Sequence, residues 1–135
     1  MRRLMLACAA IALVGCGGSD STAPAASAQG TWNLQTVNGA ALPVTYFTDP
    51  STGDKSEILD DQFVLNADHS FTEAFTTRDT QGTTVTTNLG TDSGTWSQSG
   101  NSVSLVTGTG SVTATMNNNT ITFGSVLGPL VYARQ

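Results

Sequence analysis

From Gly30 onward the chain alternates apolar and polar residues in short runs, and turn-forming residues interrupt the runs roughly every eight to twelve positions. Trp32 and Leu34 share one face of a first run, with Asn33 and Gln35 on the other. Phe63 and Leu65 alternate in the same way, as do Val85, Thr87 and Leu89, then Val103 and Leu105, then Val112, Ala114 and Met116, then Ile121 and Phe123. Leu130, Tyr132 and Arg134 form a last run. Asn38-Gly39, Ser99-Gly100-Asn101 and Asn117-Asn118-Asn119 supply residues that accept positive φ at low cost. No window of about ten residues carries a 3.6-residue period. The pattern predicts an all-β fold of about eight to ten short antiparallel strands over residues 30–135. An up-and-down barrel answers this pattern best, because closure removes exposed strand edges; a sandwich is the rival.

The residues before Gly30 have a different texture. Arg2 and Arg3 precede an apolar stretch from Leu4 to Val14, too short to span a bilayer core, which needs about 20 residues. Leu13-Val14-Gly15-Cys16 closes that stretch. The basic start, the short apolar run and the small residue before a cysteine resemble the signal peptide and lipobox of a bacterial lipoprotein. The resemblance implies that residues 1–15 are removed and that Cys16 becomes a lipidated N-terminus, held in the membrane by its acyl chains. Gly17 is not the aspartate that signals inner-membrane retention in enterobacterial lipoproteins. The implied address is therefore the cell envelope, at the outer membrane, facing the periplasm or the surface. Gly17 to Gln29 contains Gly, Ser, Ala, Asp, Thr, Pro and Gln with little to bury, so residues 16–29 are expected to be an anchor plus flexible tether. Cys8 lies in the apolar stretch, so processing leaves no cysteine pair for a disulfide or a cysteine metal site.

The formal net charge is −5 at pH 7. Removal of Arg2 and Arg3 leaves Lys55, Arg78 and Arg134 against ten carboxylates, which argues against nucleic acid or anionic lipid as an electrostatic partner.

Gly30-Thr31-Trp32 opens the first strand, and Leu130-Val131-Tyr132-Ala133-Arg134 closes the last. Together they resemble the calycin pattern of lipocalins and fatty-acid-binding proteins. In those barrels a Gly-x-Trp strand is met by a basic residue from the final strand. The resemblance assigns Trp32 and Arg134 as a barrel-closing pair, in which a guanidinium lies over an indole face. Asn38-Gly39, Leu42-Pro43, Gly94-Thr95-Trp96 and Gly100-Asn101 further resemble small lipocalin-like domains of bacterial lipoproteins. The inter-strand disulfide of many secreted lipocalins and a long N-terminal helix are missing. Such domains bind diverse apolar molecules or have no known ligand, so the resemblance implies architecture more strongly than activity.

The chemistry-bearing residues point the same way. His69 is the sole histidine and sits in a turn-like Asn66-Ala67-Asp68-His69-Ser70 with no Gly-x-Ser-x-Gly elbow anywhere. Asp60 and Asp61 are successive in a strand, so they face opposite sides and make no paired-carboxylate site with each other. Asp49 to Asp54, with Glu57 beyond, is an acidic loop that lacks EF-hand spacing and reads as solvated. No catalytic residue, metal or cofactor is expected. Glu73 shares parity with Phe71 and Phe75 and is the one acid placed on an aromatic face. If that face points inward, Phe63, Phe71, Glu73, Phe75, Trp96 and Phe123 are the candidate ligand-lining residues, Trp96 reading better as ordinary core than as a ligand-stacking wall. The expectation is a non-catalytic, membrane-anchored binding module for a small apolar ligand. The alternative is an envelope structural or interaction module with a filled barrel.

Overall fold

The computed structural model of the chain describes residues 26–135. The expected signal peptide, Cys16 and the expected tether as far as residue 25 lie outside the described residues. The strands are β1 (Gly30–Val37), β2 (Ala40–Ala41), β3 (Val44–Thr48), β4 (Lys55–Leu65), β5 (Ser70–Gln81), β6 (Thr84–Ser99), β7 (Ser102–Thr107), β8 (Gly110–Asn117), β9 (Thr120–Phe123) and β10 (Leu130–Arg134). No helix occurs among the described residues.

The strands from β4 to β10 follow one another as an antiparallel meander, and β10 pairs with β1. The lower part of β1 then closes the ring onto β4, with Gly30 opposite Leu65 and Trp32 opposite Phe63. The result is a closed eight-stranded up-and-down barrel, not a sandwich. Above the closure β1 and β4 separate. β2 pairs with the upper end of β1, at Thr36 and Val37. β3 pairs with the start of β4, from Lys55 to Ile58. The peptide between Leu42 and Pro43, which joins these two short strands, is cis.

Alternation decides which residues enter the core, and bulges decide where it breaks. Trp32 and Leu34 are buried as the period of two requires, but the next buried residue is Val37. A register shift between Leu34 and Thr36 absorbs the extra residue. The lower half of the interior is packed solid by Trp32, Phe63, Leu65, Phe71, Val103, Met116 and Ile121, all at most 2% exposed. Phe63 forms the centre of an aromatic cluster, with its ring centroid 4.8 Å from Tyr132 and 5.7 Å from Phe123.

β6 passes from the lower barrel to the upper at Gly94, in close approach to β7 and to Phe71. A Cβ at Gly94 would collide with the carbonyl oxygen of Val106 and with the Phe71 ring, so no larger residue fits this crossing without displacing backbone. Pairing between β6 and β7 ends at Thr95 opposite Val106. Beyond that point β6 continues upward with β5 as its only partner. Val85 and Leu89, which alternate as strand residues, therefore lie on an uncovered arm and are 59% and 85% exposed.

Candidate ligand cavity

Above the packed half, the barrel interior opens into a cavity of about 460 Å³, within the range of small-molecule sites. Phe63, Phe71, Leu105, Phe123, Leu130 and Tyr132 form its apolar wall. Its mouth lies in the gap left where β6 parts from β7, between Asp92 on one side and Thr107, Thr109 and Gly110 on the other. Val112, Ser111 and Ser125 complete the rim.

One side of the cavity is acidic. Glu73 on β5 stands directly opposite Asp92 on β6 and directly opposite Phe63 on β4. Asp61, two residues before Phe63, is therefore diagonal to Glu73 on the same inward face. The Tyr132 hydroxyl donates to Asp61 Oδ2 at 2.7 Å. Asp61 Oδ1 is buried and receives no N–H or O–H donor from the described residues. Burial raises the pKa of Asp61 against the lowering effect of the Tyr132 hydrogen bond. Burial, and then the charge of Asp61, push Glu73 up to about 7. A proton on Glu73 lets the two carboxyls share a hydrogen bond. Burial, followed by the Asp61 charge, also raises Tyr132, which keeps its hydroxyl a donor.

The candidate residues separate into three places. Phe63, Phe71, Glu73 and Phe123 line the main cavity. Phe75 shares the inward parity of Phe71 but lies higher, in a second cavity of about 220 Å³ bounded by Tyr46, Ile58, Asp61, Thr77 and Leu127. Trp96 does not line either space. It is buried at the opposite, closed end, where its Nε1 donates to the Asn66 carbonyl at 2.9 Å and its ring centre lies 5.1 Å from that of His69. The parity of Trp96 is inward, but its height along the barrel puts it in packed core.

Trp32 and Arg134 are also at the closed end. They are directly paired in register, and the Arg134 guanidinium carbon lies 4.4 Å from the Trp32 ring centre. Gly30 has φ +136°, and a Cβ there would press on Arg134 Nη1, so both conformation and space call for glycine. Residues 26–29, read from composition as the end of the tether, are held against this end. Trp32 Nε1 donates to the Ala28 carbonyl at 2.8 Å, and Arg134 donates to the carbonyls of Ser27 and Gln29. Gln98 donates to the Ala26 carbonyl and accepts from the Ala28 amide, both at 2.7 Å. Ala28 is fully buried. Residues 26–29 thus belong to the packed body, ahead of β1.

Asp61, Asp92 and Tyr132 were not among the candidates. The signal for them is the hairpin register: a turn centred on Asp68 sets Phe63 against Glu73, and with it Asp61 diagonal to Glu73. Asp60 and Asp61 do face opposite sides; the carboxyl pair that forms spans two strands. His69 is exposed in its turn at φ +65°, at the end away from the cavity mouth. Asp49 accepts from the Ser51 amide and hydroxyl within its own loop. No group of three or more His, Cys, Asp or Glu side chains is placed to hold a metal ion among the described residues. Chemically the site can enclose an apolar body and hold a polar head, and its serines stand far from the only imidazole.

The family model described as the Lipocalin-like domain matches residues 29–124. Comparison with curated proteins and with solved structures finds no match. The matched span runs from the residue before β1 to the end of β9 and takes in the whole acidic side of the cavity, and so the chain belongs to the lipocalin-like domain family.

Proposed function

We propose that this protein is a lipid-anchored, non-catalytic binding protein of the cell envelope that takes up a small, largely apolar molecule in its barrel. The observation that carries the binding role is the open upper half of the barrel, a cavity of about 460 Å³ walled by Phe63, Phe71, Phe123 and Tyr132. A filled barrel would leave no such space, and side chains of the size used in the lower half would fill it. Support for the anchor comes from Leu13-Val14-Gly15-Cys16 behind Arg2-Arg3 and a short apolar run. The outer membrane is the proposed address, with Gly17 in place of a retention aspartate.

Titration of the full chain with N-phenylnaphthylamine, whose fluorescence rises in apolar surroundings, tests the binding role. Saturable binding in the micromolar range is the expected result, and absence of binding at tens of micromolar for this and other apolar probes contradicts it. Labelled palmitate tests the anchor: the wild-type chain should incorporate it and the Cys16→Ser chain should not.

A further inference from the structure

The charges around the cavity are one-sided. Asp61, Glu73 and Asp92 lie in a row across β4, β5 and β6, and Glu73 and Asp92 occupy directly opposed positions. Like charges so placed on a sheet repel each other. No lysine, arginine or histidine lines the space to offset them. The three cations among the described residues are committed elsewhere. Lys55 and Arg78 are drawn to Glu57, at 3.1 Å and 2.8 Å, and Arg134 lies over Trp32 at the other end. The groups that face Glu73 are Asp61 from β4, Asp92 from β6 and Tyr132 from β10, and the Tyr132 hydroxyl already donates its hydrogen bond to Asp61. The Ser93 amide donates to Asp92 Oδ1 at 2.7 Å, and beyond these two bonds the acidic row receives no N–H or O–H donor among the described residues, so Glu73 and the second oxygen of Asp92 are left for a ligand.

We propose that the cavity selects an apolar molecule bearing a cationic amine, seated with its N–H groups donating to the Glu73 and Asp92 carboxylates and its apolar body against the phenylalanines. The proposal rests on the binding role above and adds the chemical class of the ligand. Charge-assisted hydrogen bonds are the strong ones, and partial exclusion of water strengthens them further. The aromatic walls attract the same cation through their ring faces. A fatty acid of equal length meets repulsion at this wall. A neutral alcohol gains the apolar contacts but leaves the opposed carboxylates without a counter-charge. A bare metal ion would need convergent ligands, and the described carboxylates do not converge in that way.

The test is displacement of N-phenylnaphthylamine from the full chain by dodecylamine, dodecanol and dodecanoic acid, which differ only at the head. The amine is expected to bind about tenfold or more tighter than the alcohol, and the acid more weakly than either. Glu73→Gln and Asp92→Asn should each reduce the preference for the amine while leaving alcohol binding in place. Asp60→Asn removes an equal charge from the outer face and should leave the preference intact. The preference should also grow from about pH 6 to about pH 8, as Glu73 loses its proton near 7. Equal binding of amine and alcohol, or a preference that survives both inward substitutions, overturns this inference and leaves the binding role standing. Failure of every probe to bind overturns both.

Discussion

At the Trp32 end of the barrel each strand has a partner on both sides and side chains fill the interior, whereas at the Glu73 end β6 keeps one partner and the interior is hollow. The polar groups follow the same division. At the closed end the carbonyls of Ala26, Ser27, Ala28 and Gln29 each receive a side-chain donor from Gln98, Arg134 or Trp32. At the open end Asp61, Glu73 and Asp92 gather with two donors among the described residues, the Tyr132 hydroxyl to Asp61 and the Ser93 amide to Asp92, beyond a proton shared between the carboxyls of Asp61 and Glu73. Satisfied polar groups and dense packing stabilise a fold, and unsatisfied ones beside a cavity suit a ligand. In the proposed function, the barrel divides stability from binding along its axis, not between different strands.

Substitutions at the two ends should separate accordingly. Trp32→Ala removes a fully buried indole, its hydrogen bond to Ala28 and the surface on which Arg134 rests. It should cost about 3–5 kcal/mol in chemical denaturation. Arg134→Ala should cost about 1–2 kcal/mol, through the lost ring contact and the freed carbonyls of Ser27 and Gln29. A double-mutant cycle with Trp32→Phe should show coupling; strictly additive losses would mean that the pair does not hold the closed end together.

At the open end the effect is one of pH. The Glu73 pKa in the folded chain, about 7, lies above the ordinary value of 4.5, so the folded state keeps a proton that the unfolded state has lost. The contribution to stability is complete below 4.5 and disappears as pH rises through about 7. Because the side chain is only partly buried, about 1–2 kcal/mol is the expected size of this loss. Glu73→Gln should abolish that part of the pH dependence in urea unfolding followed across the interval. An unchanged profile would show that Glu73 is not the group held protonated. Smallest of all, Leu89→Ser on the uncovered arm of β6 should change stability by less than about 0.5 kcal/mol, despite replacing a large apolar residue.

Much of the barrel is legible in alternation. Trp32, Leu34, Phe63, Leu65, Val103, Leu105, Ile121 and Phe123 are buried where the period of two puts them. The period is silent about height along the barrel. Phe71, Phe75 and Trp96 have the same inward sense, yet one lines the cavity, one lies above it and one is packed beneath it. Register across strands is equally hidden from a scan along one strand. Asp61 is far from Glu73 in sequence and meets it through the β4–β5 hairpin, while Tyr132 arrives from the other end of the chain. Composition misses residues 26–29 for a related reason. Their side chains are small, and what fixes them is their backbone, whose partners come from Trp32, Gln98 and Arg134.

The division between a packed end and a receiving end is tested most directly by filling the cavity without touching the core. Val112 lies on the cavity wall and is 53% exposed, so a larger side chain there can extend into the space without displacing buried atoms. In a titration of the Val112→Trp chain with N-phenylnaphthylamine, binding should be lost while the thermal midpoint stays near that of the wild type. Binding that persists unchanged in a folded Val112→Trp chain would contradict the account, because the probe would then sit somewhere other than the open half of the barrel.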